Sequence, residues 1–319
     1  MAKRLSVACY FRRFTGPLVA LSLMIFVEWG AYMEFLDSLG PSARSLYLCV
    51  VVPCVALEVV SMYKAVFAHP GHPPACRSSE SVRSTLQSMV LEHICSLPSQ
   101  GSVMVDLEKL LPGVRECEQC QYWKVLTTHH CSTCRTCVEG MDHHCSFLGQ
   151  CLGEDNFKFF LLYIFYGCIL ATVSVACAFN HMARVGSSGM CPLQHTIWVV
   201  GLLSLILLVP FFMKLLRHLL NGTTSVVFVF PCQEQLPTPK KRPAKETLRR
   251  VIGREHPLWW LLPTDPQTAT KEETEAEWDA ELRAAVEKLV LQLLSSEEAG
   301  SGQKDQQRHI HEHLVDTFR

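Results

Sequence analysis

Long apolar runs separated by polar stretches are the main pattern of this chain. Four of the runs approach the roughly 20 apolar residues that a helix needs to cross the hydrocarbon core of a bilayer. They lie at about residues 17–36, 46–68, 157–180 and 195–220. The pattern therefore predicts a mainly α membrane protein with four transmembrane helices.

The first apolar run is the weakest of the four. Glu28 and Glu34 lie inside it, and a carboxylate is costly within a membrane unless it faces protein or the interface. Basic residues precede the run, which is also typical of a signal peptide. Because no small-x-small cleavage pattern follows, we interpret the run as a transmembrane helix.

The distribution of Lys and Arg predicts the orientation of these helices. Basic residues accumulate before the first run, between the second and third runs, and after the fourth. The short connections near Gly40 and Ser187 carry only Arg44 and Arg184. By the positive-inside bias, both termini and the segment 69–156 should face the cytosol. Thiols remain reduced there, so the 16 cysteines favour metal binding or catalysis over disulfides.

Composition and charge agree with this class. The 319 residues are 49% hydrophobic, and the formal net charge of -1 gives no basic field for nucleic acid. We expect four parts: residues 1–68 with helices 1 and 2, a cytosolic domain 69–156, helices 3 and 4 in 157–220, and a cytosolic tail 221–319. No internal repeat is identified.

The tail carries two further patterns. A basic run at 240–254 could attract anionic headgroups, or could simply follow the positive-inside bias. Residues 274–294 read as an acidic amphipathic helix, with Trp278 and Leu282 on its apolar stripe. We expect this helix to pack against its own protein or against a partner.

Between the second and third runs the chain concentrates soft metal ligands. Seven cysteines and four histidines fall between Cys117 and Cys151. Cys117 with Cys120, and Cys131 with Cys134, form Cys-x2-Cys pairs typical of structural zinc sites, and such a segment depends on metal to fold. Two tetrahedral sites would use eight of the eleven side chains and leave three for other work.

The tetrapeptide from Asp142 to Cys145 places an acid, two imidazoles and a thiol together. A nucleophilic cysteine needs a base that generates the thiolate and a group that orients the base. His143 could be that base and Asp142 that group, which would leave His144 for zinc. Alternatively, Cys145 is another ligand or an inert thiol, and spacing does not decide between these interpretations.

The whole block resembles the cysteine-rich domain of the DHHC-type protein S-acyltransferases, the palmitoyltransferases. The resemblance implies one zinc on Cys117, Cys120, His130 and Cys137, and a second zinc on Cys131, Cys134, His144 and Cys151. It implies Cys145 as nucleophile, with His143 and Asp142 as its catalytic partners. Lys124 and His129 match positions near the coenzyme A phosphates, and Thr224 matches a threonine that contacts the tetrapeptide aspartate.

This chain also departs from the family pattern without losing a ligand or a catalytic residue. The departures concern acyl-transfer efficiency, coenzyme A affinity and substrate range. They are at His69, Val125, Thr127, Ser146, Phe147, Gln150 and Val226.

The resemblance implies transfer of a long-chain acyl group from acyl-CoA, through an acyl-enzyme on Cys145, to cysteines of membrane-associated proteins. Two structural Zn²⁺ ions, the lipid bilayer and substrate proteins with membrane-proximal cysteines are the expected cofactors and partners. An endoplasmic reticulum or Golgi membrane is the expected location. The alternative is a membrane-anchored zinc-binding interaction module with little transferase activity.

Overall fold

The computed structural model describes residues 39–85, 114–125, 127–222, 244–254 and 256–266, with scattered helical positions between 15 and 35 and between 273 and 284. The chain divides into two compact units. The first contains residues 1–71, 140–229 and 241–268, and the second contains residues 72–139, 230–240 and 269–319.

Long apolar helices form most of the first unit. They are α1 (Pro41–Phe67), α2 (Phe157–Val185) and α3 (Pro192–Asn221). Among the described residues, these three are long and apolar enough to cross a membrane. This confirms three apolar helices at the second, third and fourth predicted runs. The described positions of the first run are helical, but its crossing of the membrane stays a prediction.

The local sequence explains where these helices begin and end. Pro41 and Pro192 each stand at the first helical turn, where a missing backbone N–H costs nothing. The end of α3 is followed by Gly222 in the left-handed conformation, with φ of 62°, which suits a helix terminus. Helix α2 is central, since half of its apolar span is buried inside the protein, compared with 11% for α3.

A short C-terminal segment packs against one end of these helices. Helix α4 (Ala244–Val251) contacts α3, and a 3₁₀ turn follows at Pro257–Leu261. Lys64 at the end of α1 forms an ion pair with Asp265 at 2.8 Å. Lys158 at the start of α2 donates a hydrogen bond to the Thr264 hydroxyl at 3.2 Å. The segment is therefore held at the adjoining ends of α1 and α2.

The cysteine-rich segment folds as three short antiparallel hairpins. Strands β1 (Arg115–Cys117) and β2 (Tyr122–Lys124) form the first hairpin. Strands β3 (His129–Cys131) and β4 (Thr136–Val138) form the second, and β5 (His143–Cys145) and β6 (Gln150–Leu152) form the third. Corresponding strands recur every 14 residues. The prediction of no internal repeat is therefore wrong.

The second unit also contains the described part of the tail. Trp278 and Leu282 are buried together with Val82 and Val114. The guanidinium of Arg77 lies 5.6 Å from the Trp278 ring centre and forms an ion pair with Glu139 at 3.2 Å. The described positions between 273 and 284 are thus a helix packed within this unit, and residues 285–294 of the predicted helix lie outside the described residues.

Candidate active site and metal centres

The first group of metal ligands is formed by the first two hairpins. The ligand atoms of Cys117, Cys120, His130 and Cys137 all lie within 4.8 Å of one another. The Nδ1 atom of His130 is 3.6, 3.3 and 3.9 Å from the Sγ atoms of Cys117, Cys120 and Cys137. Ligands of a tetrahedral zinc ion lie about 3.5 to 3.8 Å apart, given bonds of about 2.0 to 2.3 Å. The group therefore fits zinc.

Electrostatics within this first group also favour a cation. Burial and the neighbouring thiolate of Cys117 raise the pKa of Cys137. Burial also acts to raise the pKa of Cys117, but hydrogen bonds from the backbone of Cys120 and from Cys137 outweigh it and lower the pKa. The thiols thus compete for the charged form, and a bound divalent cation would allow all of them to ionise.

A second set of four ligand atoms meets the same distance criterion. Cys131, Cys134, His144 and Cys151 lie within 4.8 Å of one another. His144 and Cys151 face each other across the third hairpin, with 3.7 Å between Nδ1 and Sγ. The backbone N–H of Cys134 donates to Cys131 Sγ at 3.3 Å, as in a zinc knuckle. The structure therefore brings together both sets implied by the resemblance.

Asp142, His143 and Cys145 form a linked group in the first unit. The Asp142 carboxylate is buried, and its Oδ2 is 2.8 Å from His143 Nδ1. The backbone N–H of Asp142 donates to the Leu152 carbonyl at 2.8 Å, which holds it against the third hairpin. His143 also shares a hydrogen bond with Cys145. A thiol, an imidazole and an orienting carboxylate in this order are the components of an activated cysteine nucleophile.

The charge state of His143 follows from these contacts. Burial acts to lower the pKa of His143, but the hydrogen bonds to Asp142 and Cys145 and the charges of these two residues raise it to about 9. The raised pKa reflects stabilisation of the imidazolium by Asp142 and by the thiolate of Cys145. His143 is therefore placed to hold a proton between Asp142 and Cys145.

Apolar side chains surround the Cys145 thiol. Cys145 is 7% exposed and belongs to a cluster with Leu148, Phe157, Phe160 and Leu215. The edge of the His143 ring meets the Phe160 ring, with 6.4 Å between their centres. The thiol thus lies at the end of the long apolar helices, in surroundings that suit a hydrocarbon chain.

The hairpin repeat explains why Cys145 lies outside both metal groups. Cys117, Cys131 and Cys145 hold equivalent positions at the ends of β1, β3 and β5. In the first two hairpins a second cysteine follows three residues later, whereas the third has Leu148, which is fully buried. The third hairpin keeps the first thiol of a zinc knuckle and replaces the second by a core side chain.

Sequence reasoning identified Gln150 only as a departure from the family pattern. Gln150 is directly opposite Cys145 in the third hairpin and is buried. Its side-chain amide donates to the carbonyls of Ala65 and Ala68, at 2.6 and 3.1 Å. Ala65 is in the last turn of α1 and Ala68 directly follows this helix. Gln150 therefore ties β6, the partner of the strand that carries the thiol, to the end of a long helix. A polar residue placed opposite the nucleophile is the signal that could have revealed this role.

We expect Gln150→Met to slow acylation of Cys145 without loss of metal. Methionine has a similar shape but cannot donate, so the Ala68 carbonyl would lose this donor and the Ala65 carbonyl would keep the 3.5 Å contact with the Asn156 amide. A buried polar group that loses its partner costs about 1 to 3 kcal/mol. The acylation rate and the zinc content of the purified variant measure the effect. Gln119→Met, at an exposed glutamine in the first hairpin, serves as the control. An unchanged acylation rate in Gln150→Met would contradict the proposed positioning role.

His69, one of the departures from the family pattern, contacts the turn that follows α1. His69 stands where the family has aspartate, and its Nδ1 accepts a hydrogen bond from the Gly71 backbone N–H at 3.0 Å. Aspartate commonly makes the same bond in turns. Gly71 has φ of 106°, a conformation that favours glycine. His69 therefore supplies a side-chain acceptor to the turn after α1.

The positions of Lys124 and His129 do not test their predicted roles in coenzyme A binding. Lys124 ends β2, is half-buried, and its charge acts on Cys117. His129 begins β3 opposite Val138 and is also half-buried. Thr224 lies outside the described residues, so its predicted contact with Asp142 stays a prediction, as do the roles of Lys124 and His129.

Comparison with known proteins finds similarity to palmitoyltransferases. Residues 113–229 match the DHHC palmitoyltransferase family. Palmitoyltransferase ZDHHC15A of Danio rerio is 30% identical over 215 residues, which cover 62% of this chain and 64% of the relative. Palmitoyltransferase ZDHHC15 of Xenopus laevis is 26% identical over 266 residues, or 77% of each chain. Palmitoyltransferase pfa3 of Emericella nidulans is 36% identical over 150 residues, 46% of this chain and 27% of the relative.

Proposed function

Since residues 113–229 are a domain of the DHHC palmitoyltransferase family, we propose that this protein is a membrane-embedded S-acyltransferase. It moves a long-chain fatty acyl group, such as palmitoyl, from acyl-CoA to cysteine thiols of membrane-associated proteins. One observation carries the proposal. The Cys145 thiol lies outside both metal groups, contacts the His143–Asp142 pair and sits among apolar side chains at the end of the long helices.

In the first half-reaction His143 takes the thiol proton of Cys145. The thiolate attacks the thioester carbonyl carbon of acyl-CoA, and a new C–S bond forms to Cys145. The bond to the coenzyme A sulfur breaks, and that thiolate leaves with the proton from the His143 imidazolium. Asp142 keeps the imidazole oriented throughout, through the 2.8 Å contact with Nδ1.

In the second half-reaction the substrate protein supplies the thiol. His143 takes the proton of this thiol, and the resulting thiolate attacks the acyl carbon on Cys145. The C–S bond to Cys145 breaks, the leaving Cys145 thiolate takes the proton from the His143 imidazolium, and the acyl chain leaves on the substrate cysteine. Because the two substrates react in turn at one thiol, we expect ping-pong kinetics.

The two metal groups would support this site without joining the chemistry. Each offers four protein ligands, so zinc bound there has no open position for a substrate. His144 and Cys151 belong to one group and face each other at the middle of β5 and β6. Zinc would therefore hold β5 and β6 together and fix the direction in which Cys145 points.

The membrane supplies the reason for a fatty substrate. Each CH2 group gains about 0.8 kcal/mol from an apolar setting, so a long acyl chain favours a thiol at the end of apolar helices. We propose that the termini and the cysteine-rich segment face the cytosol, where acyl-CoA and reduced thiols are found. Location in the endoplasmic reticulum or Golgi stays a prediction from the family resemblance.

A second candidate function is a zinc-binding interaction module in the membrane. The departures at Ser146 and Phe147, directly after Cys145, favour it, because they change the residues beside the nucleophile. Phe147 nevertheless packs near Tyr163, with 6.1 Å between ring centres, so the apolar setting of the site is retained.

Incubation with a labelled long-chain acyl-CoA distinguishes the two functions. We expect the wild-type protein to become labelled through a hydroxylamine-sensitive thioester. Cys145→Ser should remain unlabelled, since serine lacks an ionisable thiol. Cys49→Ser, at an exposed cysteine on α1, should be labelled like the wild type. Equal labelling of the wild type and Cys145→Ser would refute the nucleophile, and labelling of neither would favour the interaction module.

A further inference from the structure

The 3₁₀ turn Pro257–Leu261 presents a small apolar surface. Leu258, Trp259 and Leu261 are 72%, 51% and 48% exposed. Trp260, between them, points the other way and packs against the apolar cluster that contains Cys145. One side of the turn is thus fixed in the protein, and the other side offers an indole and two leucines to the surroundings.

Hydrogen bonds and an ion pair fix the position of the turn along α1 and α2. The Tyr166 hydroxyl on α2 donates a hydrogen bond to the Leu261 carbonyl. The contacts of Lys158 with Thr264 and of Lys64 with Asp265 hold the residues that follow. The turn is therefore anchored to both α1 and α2.

The length of α2 allows the depth of the turn in the bilayer to be calculated. A 29-residue helix is about 43 Å long, and the hydrocarbon core is about 30 Å thick. A centred helix would therefore extend about 7 Å beyond the hydrocarbon at each end. Tyr166 is nine residues after the start of α2, about 13 Å along the axis. Its contact with Leu261 thus places this end of the turn about 6 Å inside the hydrocarbon boundary, a depth typical of interfacial apolar groups.

The end of α1, which Lys64 links to Asp265, also exposes aromatic side chains. Tyr63 and Phe67 at the end of α1 are 62% and 53% exposed, and their rings lie 4.7 Å apart. Tyrosine and tryptophan side chains favour the boundary between headgroups and acyl chains. The apolar surface of the turn is therefore similar in character to the lipid-facing surface at this end of the helices.

Basic side chains accompany the turn. Lys245 and Arg249 on α4 are exposed, as is Arg254 between α4 and the turn. Cations beside an apolar patch suit a bilayer surface, because headgroup phosphates attract them while the apolar side chains enter the boundary layer. A soluble protein partner would not reach a surface that lies at this depth in the bilayer.

We propose that Leu258, Trp259 and Leu261 insert into the headgroup–acyl boundary of the bilayer. They form an interfacial anchor at the same end of the helices as Cys145. This inference rests on the proposed membrane-spanning arrangement of α1, α2 and α3. The ligand is the lipid surface itself, and no particular headgroup is required beyond its phosphate.

Fluorine NMR of the full chain in lipid nanodiscs tests the anchor. The six tryptophans are labelled as fluorotryptophan, and Trp259→Phe and Trp260→Phe assign the two signals of the turn. One sample contains phosphatidylcholine with a nitroxide near the top of its acyl chain, and another contains a water-soluble gadolinium chelate. We expect the Trp259 signal to be lost with the lipid nitroxide and to persist with gadolinium.

Trp198 on α3 separates failure of the anchor from failure of the membrane arrangement. It is half-buried near the opposite end of the helices and should lose intensity with the lipid nitroxide. If Trp198 responds in this way but Trp259 is lost only with gadolinium, the anchor is wrong and the membrane arrangement stands. If neither tryptophan responds to the nitroxide, both the anchor and the membrane arrangement are overturned.

Discussion

Replacement of His143 by glutamine should slow acylation of Cys145 by roughly 10²- to 10⁴-fold, the usual contribution of a general base. Glutamine can still hydrogen-bond to Asp142, but it cannot accept the thiol proton of Cys145. The thiolate would then form only to the extent that the isolated thiol ionises in its apolar surroundings. Rapid mixing with acyl-CoA, followed by quantification of the acyl-enzyme, measures the rate.

The control for this change is His195→Gln on the distant part of α3. The His195 ring contacts only the carbonyl of Cys191 among the contacts that the structure describes for it, so acylation should match the wild type. Zinc content should also be unchanged in His143→Gln, because His143 belongs to neither metal group. Wild-type acylation by His143→Gln would show that another group activates the thiol.

Replacement of Cys120 by serine should remove one zinc ion per chain and unfold the second unit. Structural zinc contributes about 10 to 16 kcal/mol of apparent binding energy in zinc-finger peptides, which exceeds the stability of most small domains. The unit has a small apolar core around Trp278 and Leu282, so metal should supply much of its stability. Native mass spectrometry counts the metal, and limited proteolysis reports the unfolding.

Cys76→Ala provides the matched comparison for Cys120→Ser. Cys76 lies in the same unit and packs against its apolar core, but it is in neither metal group. This variant should retain two zinc ions per chain and resist protease. Two zinc ions in Cys120→Ser, or fewer than two in the wild type, would contradict the assignment of ligands.

The chemistry of the site was predictable because zinc binding depends on residue type and spacing. The pairs Cys117–Cys120 and Cys131–Cys134 indicate zinc knuckles by their two-residue separation. The division of the eleven candidates into two interleaved sets was implied by the family resemblance. Spacing alone left the role of Cys145 open, since any cysteine near these ligands could bind metal.

The hairpin repeat, the role of Gln150 and the neighbours of the tail helix could not be predicted from the sequence. The 14-residue repeat is hidden because the third hairpin replaces a ligand with Leu148, and the ligands on successive strands differ. The role of Gln150 depends on the carbonyls of Ala65 and Ala68, which are more than 80 residues away in the chain. The apolar stripe of the tail predicted a packed helix, but only the structure identifies Val82 and Val114 as its neighbours.

The position of the acyl chain after a brief reaction tests the central claim most directly. Wild-type protein is mixed with a long-chain acyl-CoA, quenched in acid within the first turnover, digested and analysed by mass spectrometry. The acyl thioester should be found on Cys145, and it should disappear when a peptide with a free cysteine is added before quenching. An acyl group that forms first on any other of the 16 cysteines, with Cys145 unmodified, would contradict the proposed mechanism.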